Sequence, residues 1–183
     1  MKDYDLLYNE GMVNRADGVV VFIKSCMRYT YEVVDIGRCK AIEIKIVERG
    51  HTLVITAIYR SHELIDVDFV DDFFLYFNRI SSFTTSFHVI VGDINIDILN
   101  QSVIASRYLD LLYENGFEAM ITTITRPESA TCLDHIFLKD DTVVFYEDET
   151  WDKLKRKVEV DLRCLIDAFS ARFLTVNFKT EHM

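Results

Sequence analysis

The stretch Phe87-His88-Val89-Ile90-Val91-Gly92-Asp93-Ile94-Asn95-Ile96 decides the fold of this chain and points to its chemistry. Its first half is an apolar run, which is typical of a buried strand. The run ends in Gly-Asp-x-Asn, which places the carboxylate of Asp93 beside the amide of Asn95 at a sheet edge. A carboxylate can hold the charge of a proton acceptor and an amide can donate to a phosphate oxygen, as phosphodiester cleavage requires. The alternative is a turn that Asp93 merely caps.

Length and composition indicate one folded domain of ordinary size with room for a short extension. The chain has 183 residues, half of them hydrophobic, with 13 Phe and 9 Tyr, and this composition excludes an intrinsically disordered chain. The formal net charge is −10. This charge works against tight non-specific binding to nucleic acid, because counterion release requires clustered Lys and Arg. It leaves open a nucleic-acid enzyme with a local basic face.

Cysteines and the ends of the chain suggest an intracellular protein. Cys26, Cys39, Cys132 and Cys164 form no Cys-x-x-Cys pair and have no His partner at the spacing of a zinc site. We expect them to be reduced and mostly buried. The first residues are polar and acidic, so no signal peptide is expected. No apolar run approaches the roughly 20 residues of a membrane span. The expected location is nuclear or cytoplasmic, and the chain is not expected to be secreted.

Apolar runs and alternating patterns predict an α+β fold. Hairpins together with strand–helix–strand units favour two sheets packed face to face with helices outside. The predicted strands are Val19–Lys24, Lys40–Val47, Leu53–Tyr59, Phe87–Val91, Glu118–Thr123 and Cys132–Leu138. The predicted helices are Val67–Ile80 and Val103–Asn115, and a further short strand is expected over Thr142–Tyr146.

The pattern changes after Tyr146. Glu147-Asp148-Glu149 is a run of acidic residues, and from Val158 to Phe173 apolar residues recur at helical spacing without proline or glycine. We therefore predict one domain over residues 1–146 and a helical C-terminal extension over residues 147–183.

Polar side chains also stand on two other predicted strands. Tyr59 ends one strand, and the pair Asp134-His135 lies within another. Polar groups in buried strands cost free energy unless they are paired, so these residues are either satisfied locally or functional. Alone, Tyr59 would be a packed aromatic residue and Asp134-His135 a satisfied polar pair.

Three motifs in order resemble the endonuclease/exonuclease/phosphatase superfamily. They are Ile58-Tyr59-Arg60, then Val91-Gly92-Asp93-Ile94-Asn95, then Leu133-Asp134-His135-Ile136-Phe137. Within the superfamily the chain resembles the endonuclease domain of insect-type non-LTR (LINE) retrotransposons, over about Tyr4 to Lys139. The resemblance implies a four-layer α/β-sandwich of two mixed β-sheets with helices outside, here incomplete because both ends are truncated. The C-terminal extension resembles the linker that precedes reverse transcriptase in such elements.

The resemblance also implies a role for each matching residue. Asp93 matches the aspartate that orients or deprotonates the attacking water, and Asn95 the asparagine that hydrogen-bonds the scissile phosphate. Tyr59 matches a tyrosine that contacts this phosphate, and Asp134 the aspartate that holds a catalytic histidine in its working tautomer. Thr125 and Thr131 are weaker candidates for binding phosphate. The implied cofactor is Mg²⁺, which would neutralise phosphate charge, and the implied partner is DNA.

The chain departs from the family pattern at two catalytic positions. The family has an asparagine and a metal-binding glutamate in its first strands, ahead of the strand that begins here at Val19, and this chain has no such pair there, so the metal ligands are unknown. Glu43 alternates regularly with its apolar neighbours and is predicted to face solvent. No Ser-Asp-His motif follows Asp134, and His135 is expected to point to the opposite face of its strand.

These observations leave alternative functions open. The chain is interpreted as a retrotransposon-derived, Mg²⁺-dependent DNA endonuclease domain, weak or inactive as it stands. The alternatives are a non-catalytic remnant or binding module, and a superfamily relative that acts on small phosphoesters. The missing carboxylate and imidazole favour the remnant, because acid–base catalysis alone contributes about 10²–10⁴ in rate.

Overall fold

The computed structural model of the chain describes residues 3–9, 18–48, 51–80 and 87–140. The strands are β1 (Tyr4–Tyr8), β2 (Val20–Lys24), β3 (Tyr29–Ile36), β4 (Cys39–Glu48), β5 (His51–Tyr59), β6 (Phe87–Asp93), β7 (Glu118–Ala119) and β8 (Asp134–Asp140). The helices are α1 (Asp66–Ile80) and α2 (Val103–Glu114). The strand predicted over Thr142–Tyr146, the boundary at Tyr146 and the helix predicted from Val158 to Phe173 lie outside the described residues.

The larger sheet has the strand order β3-β4-β5-β6-β8-β7 and is mixed. Among the described strands, only β5 and β6 pair in parallel, and α1 forms the crossover between them. The apolar run Phe87–Val91 is thus a central strand, as its composition predicts. In the described ranges the smaller sheet is an antiparallel pair of β1 and β2.

Apolar side chains from both faces of the larger sheet form two cores. On one face, Ile58, Ile90 and Phe137 pack with residues of α1 and α2. On the other face, Ile42, Ile44 and Ile55 pack against Val21 and Ile23 of the smaller sheet. The two sheets therefore face each other, with helices outside the larger one, as predicted. Of the four layers expected, helices over the smaller sheet do not occur in the described part of the chain.

Two strands were not predicted from the sequence, and two predicted strands differ in extent. β1 and β3 are additional, whereas Glu118–Thr123 is a strand only over Glu118–Ala119. The strand predicted from Cys132 begins at Asp134, because the backbone of Cys132 and Leu133 instead pairs with the loop after β6. The other predicted strands and both helices agree with the structure to within about three residues.

Glu43 does not face solvent, and this prediction was wrong. Its side chain is buried beneath α1, where Oε2 accepts a hydrogen bond of 3.0 Å from the Tyr76 hydroxyl. Tyr76 also contacts Thr56 Oγ1 at 2.7 Å, and Thr56 contacts His88 Nε2 at 2.9 Å. Burial raises the pKa of Glu43, and it lowers the pKa of His88 to about 4. On its helix-covered face, the larger sheet thus carries a network of four connected polar side chains, which we call the Glu43–His88 network.

Two smaller expectations can be compared with the structure. No helix in the described ranges is both long and apolar enough to cross a membrane. Among the described cysteines, Cys39 and Cys132 are buried and Cys26 is exposed.

Candidate active site

Three sequence-predicted site residues lie side by side where neighbouring strands of the larger sheet end. Tyr59 of β5 is the register partner of Asp93 in β6, and Asp93 is in turn the partner of Asp134 in β8. Residues directly opposite one another project from the same face of a sheet, here the face that carries the smaller sheet. The structure therefore brings Tyr59, Asp93 and Asp134 together.

A fourth residue, Arg126, joins the two carboxylates. Its Nη2 atom donates to Asp93 Oδ2 at 2.8 Å and to Asp134 Oδ1 at 3.1 Å. Its Nε atom donates to Asp134 Oδ2 at 3.0 Å. We call these three residues the Asp–Arg–Asp triad. Both carboxylates contact one guanidinium, so they lie close together.

The backbone around residue 126 fixes the position of this guanidinium. The N–H groups of Thr125 and Arg126 both donate to the carbonyl of Thr131, and the Thr131 N–H donates back to Arg126. Ala130 closes this tight turn with a φ of +56°. Sequence reasoning missed Arg126, because nothing in a sequence shows that residue 126 reaches Asp93. The available signal was a basic residue in a proline turn shortly before Asp134.

Asp93 is the most perturbed acid of the site. It is only 3 % exposed, and burial raises its pKa to about 6, an effect that Arg126 opposes and Asp134 reinforces. Its Oδ1 atom is buried and has no hydrogen-bond partner among the described residues. Arg126 therefore holds one oxygen of Asp93. The second oxygen has no partner at hydrogen-bond geometry in this part of the chain, although the backbone N–H of Asn95 lowers the pKa of the carboxyl.

Asn95 lies in the loop directly after β6, and its side chain is held by the backbone. Its Nδ2 donates to the carbonyl of Arg60 at 2.7 Å, and its φ of +55° is in the left-handed region that asparagine tolerates. The buried Arg60 donates in return to the carbonyls of Ile94 and Asn95 at 2.9 and 3.2 Å. Arg60 also pairs with Asp66 at the start of α1. Arg60 thus positions Asn95, a role that sequence reasoning did not assign.

The position before Asp93 has no room for a side chain, which explains the glycine of Gly-Asp-x-Asn. A Cβ atom at Gly92 would lie 1.8 Å from the carbonyl oxygen of Ile58, the residue before Tyr59. Strands β5 and β6 therefore approach closely only because residue 92 has no side chain. Gly92 aligns the ends of these two strands and thereby sets Asp93 beside Tyr59.

The two threonines suggested for phosphate binding border the triad. Thr125 Oγ1 accepts hydrogen bonds from the N–H groups of Leu133 and Asp134, at 3.0 and 3.2 Å. Thr125 therefore fixes the start of β8. The Thr131 hydroxyl contacts Ser129 Oγ at 2.7 Å, at the exposed end of the turn.

His135 lies on the opposite face from Asp134, as the alternation of a strand predicts. It is buried against α2, where Nδ1 lies 3.2 Å from the Tyr108 hydroxyl and Nε2 lies 3.1 Å from the carbonyl of Cys132. Burial lowers its pKa. His135 takes part in packing and does not reach the triad.

Known structures share this arrangement of strands. An endonuclease/exonuclease/phosphatase family protein from Bacteroides thetaiotaomicron aligns over 76 % of this chain and 60 % of its own, with a TM-score of 0.53 and 14 % identity. The endonuclease domain of TRAS1, a telomere-specific non-LTR retrotransposon, aligns over 74 % of this chain and 68 % of its own, with a TM-score of 0.55 and 10 % identity. This chain has the endonuclease/exonuclease/phosphatase fold.

The same fold occurs in proteins with other names. The catalytic domain of human Nocturnin aligns over 75 % of this chain and 61 % of its own, with a TM-score of 0.53 and 12 % identity. No protein-family model and no curated protein matches the sequence. The chain spans about three-fifths of the length of the first structures it matches.

The Mg²⁺ ion that the resemblance implies can be tested against the residues present. Within the described ranges, no group of three or more His, Cys, Asp or Glu side chains is arranged to hold a metal ion. The two carboxylates that do converge, Asp93 and Asp134, are bridged by a cationic guanidinium. Glu43 belongs to the Glu43–His88 network beneath α1, on the other face of the sheet. The described residues do not fit the implied ion.

Proposed function

We propose that this chain is a retrotransposon-derived endonuclease-like domain that cleaves DNA weakly or not at all. The ancestral reaction is Mg²⁺-dependent cleavage of phosphodiester bonds. The observation that carries the proposal is the bridge from Arg126 to Asp93 and Asp134. Two independent likenesses support the ancestry: the ordered motifs resemble the retrotransposon enzymes, and the TRAS1 endonuclease domain has the same fold.

The bridge occupies the groups that cleavage needs. A general base needs a lone pair that the attacking water can reach, whereas Asp93 Oδ2 accepts a hydrogen bond from Arg126 and Asp93 Oδ1 is buried. Both oxygens of Asp134 accept from the same guanidinium, so this carboxylate orients an arginine where the family orients an imidazole. The amide of Asn95 donates to a backbone carbonyl in place of a phosphate oxygen.

Charge at the site also argues against tight DNA binding by this chain. The formal net charge of the chain is −10. The two arginines at the site are already paired, Arg126 with two aspartates and the buried Arg60 with Asp66 and backbone carbonyls. Affinity for DNA requires cations that neutralise phosphates. DNA is therefore the partner of the ancestral role, and we expect only weak binding here.

A nicking assay tests this proposal. The purified full chain and its Asp93→Ala variant, prepared identically, are incubated with supercoiled plasmid and Mg²⁺. We expect equal rates, because residual nicking by wild type would come from contaminants that both preparations share. Rapid Mg²⁺-dependent nicking, far above the background rate, that Asp93→Ala abolishes would overturn the proposal. Release of phosphate from small phosphomonoesters that depends on Asp93 would overturn it in favour of a phosphatase.

A further inference from the structure

The aspartates of the triad form a cation site that the chain fills with its own side chain. We propose that Arg126 is a tethered substitute for a divalent cation, and that removing its charge converts Asp93 and Asp134 into a site for a hard divalent cation. This inference concerns metal binding alone and holds whether or not the chain cleaves DNA.

Geometry provides the first argument. Asp93 and Asp134 are direct cross-strand partners, so their separation is fixed by the pairing of β6 with β8 and does not depend on Arg126. A single atom, Nη2, lies 2.8 Å from an oxygen of one and 3.1 Å from an oxygen of the other. Asp93 and Asp134 would together hold a divalent cation here if their side chains rotated inward, because Mg²⁺–oxygen distances are shorter, about 2.0–2.1 Å. Mg²⁺ commonly binds through one or two carboxylates and completes its octahedron with water.

Charge provides the second argument. Two carboxylates directly opposite each other on neighbouring strands repel unless a cation lies between them. When both are ionised, the single positive charge of Arg126 leaves the triad with a formal charge of −1. A divalent cation in the same position would balance the pair completely. The triad is therefore suited to a cation of higher charge than the one it has.

An unsatisfied oxygen provides the third argument. Arg126 donates to Asp93 Oδ2 and to both oxygens of Asp134, so three of the four carboxylate oxygens are satisfied. The fourth, Asp93 Oδ1, is buried and has no partner at hydrogen-bond geometry in the described part of the chain, although the backbone N–H of Asn95 is near enough to lower the pKa of this carboxyl. An unpaired buried acceptor is costly, and a hydrated cation or one of its waters would satisfy it. Asp93 is 3 % exposed and Arg126 32 %, so ions can approach from the side of the arginine.

The test removes the charge of Arg126 and measures binding of Mn²⁺ without DNA. Arg126→Gln is compared with wild type and with Arg107→Gln as a matched control. Arg107 pairs with the single carboxylate of Asp71 on the surface, so the control also frees an aspartate from an arginine. Mn²⁺ is titrated into each full-length protein and followed by isothermal titration calorimetry and by loss of the free-ion EPR signal.

We expect Arg126→Gln to bind one Mn²⁺ with a dissociation constant at least about tenfold below those of wild type and Arg107→Gln, since a positive charge beside the site opposes a second cation strongly. Adding Asp93→Asn to Arg126→Gln should remove the gain. Binding of Arg126→Gln no tighter than that of wild type, or wild-type binding that Asp93→Asn abolishes, would overturn the proposal.

A second readout covers the case in which Arg126→Gln folds poorly. Because the proposal makes the two cations interchangeable, millimolar Mn²⁺ should restore the thermal unfolding temperature of this variant toward that of wild type. The far-UV circular dichroism spectrum should recover with it. A variant that remains unfolded at every Mn²⁺ concentration would contradict the proposal.

Discussion

Asp93 of β6 and Asp134 of β8 are direct cross-strand partners, so two acidic side chains project from the same face of neighbouring strands. Like charges in this position destabilise a sheet. The guanidinium of Arg126 compensates for them by donating to both. The pairing therefore explains why an arginine is held here by a tight turn, and it leads to predictions about stability as well as activity.

The first prediction concerns the pH dependence due to Asp93. Burial raises its pKa from 3.8 to about 6, so the folded state favours the neutral acid. Protonated Asp93 therefore contributes fully to the free energy of unfolding below pH 3.8, and this contribution is lost as pH rises through about 6. Asp93→Asn should therefore gain stability relative to wild type between pH 4 and 7, by up to about 3 kcal/mol. Urea unfolding of both proteins at several pH values measures this, and a constant difference would contradict it.

The second prediction concerns His88, whose effect has the opposite sign. Burial lowers its pKa from 6.5 to about 4, so the folded state favours the neutral imidazole. Its contribution to stability is present above pH 6.5 and is lost as pH falls toward 4. His88→Gln, which can still hydrogen-bond Thr56, should lose less stability on acidification than wild type, by up to about 3 kcal/mol. Parallel losses in urea unfolding between pH 7 and 4 would show that His88 does not titrate as expected.

The third prediction concerns the Glu43–His88 network beneath α1. Tyr76→Phe removes the hydroxyl that donates to Glu43 and contacts Thr56, and so leaves a buried carboxylate without this donor. We expect a loss of about 1–3 kcal/mol in the free energy of unfolding. Tyr113→Phe removes the same atom from a half-exposed tyrosine of α2 and serves as the control. Equal effects of the two substitutions would show that the Glu43–His88 network does not contribute to the free energy of unfolding.

Sequence patterns predicted most of the fold because the larger sheet is built from strongly apolar runs. Phe87–Val91 and Leu53–Tyr59 could hardly be anything but buried strands, and Gly-Asp-x-Asn marked where the sheet ends. β3 was missed because it lies at the sheet edge and five of its eight residues are exposed, so its pattern lacks a strong apolar run. Its aromatic and β-branched residues from Tyr29 to Val34 were a usable signal.

Glu43 shows that an alternating apolar and polar pattern does not predict which face of a strand is exposed to solvent. Alternation states which residues share a face, but it does not state which face meets water. Because helices cover one face of the larger sheet and the smaller sheet covers part of the other, both sets of residues in β4 are buried near its middle. A central position in the sheet, which only the tertiary structure reveals, turned a predicted surface residue into a buried one.

The sequence pointed to residues at strand ends and to Asn95, which follows a strand closely, but not to the arginines that reach the site across loops. Tyr59, Asp93 and Asp134 terminate or begin strands, and pairing of these strands brings them together. Arg126 and Arg60 act across long sequence separations, through contacts that depend on the conformation of loops. Those contacts have no local signature in the sequence.

A double-mutant cycle between Asp93 and Arg126 tests the central claim most directly, which is that Arg126 is the shared counter-charge of the two aspartates. The free energy of unfolding in urea is measured at pH 8 for wild type, Asp93→Asn, Arg126→Gln and the double variant. Arg126→Gln should be destabilised, because it leaves two carboxylates opposite each other, and Asp93→Asn should rescue part of that loss. We predict a coupling of about 1–3 kcal/mol, the range found for residues in one charged network. Single effects that add to within about 0.5 kcal/mol would show that the two side chains do not interact, and would contradict this account.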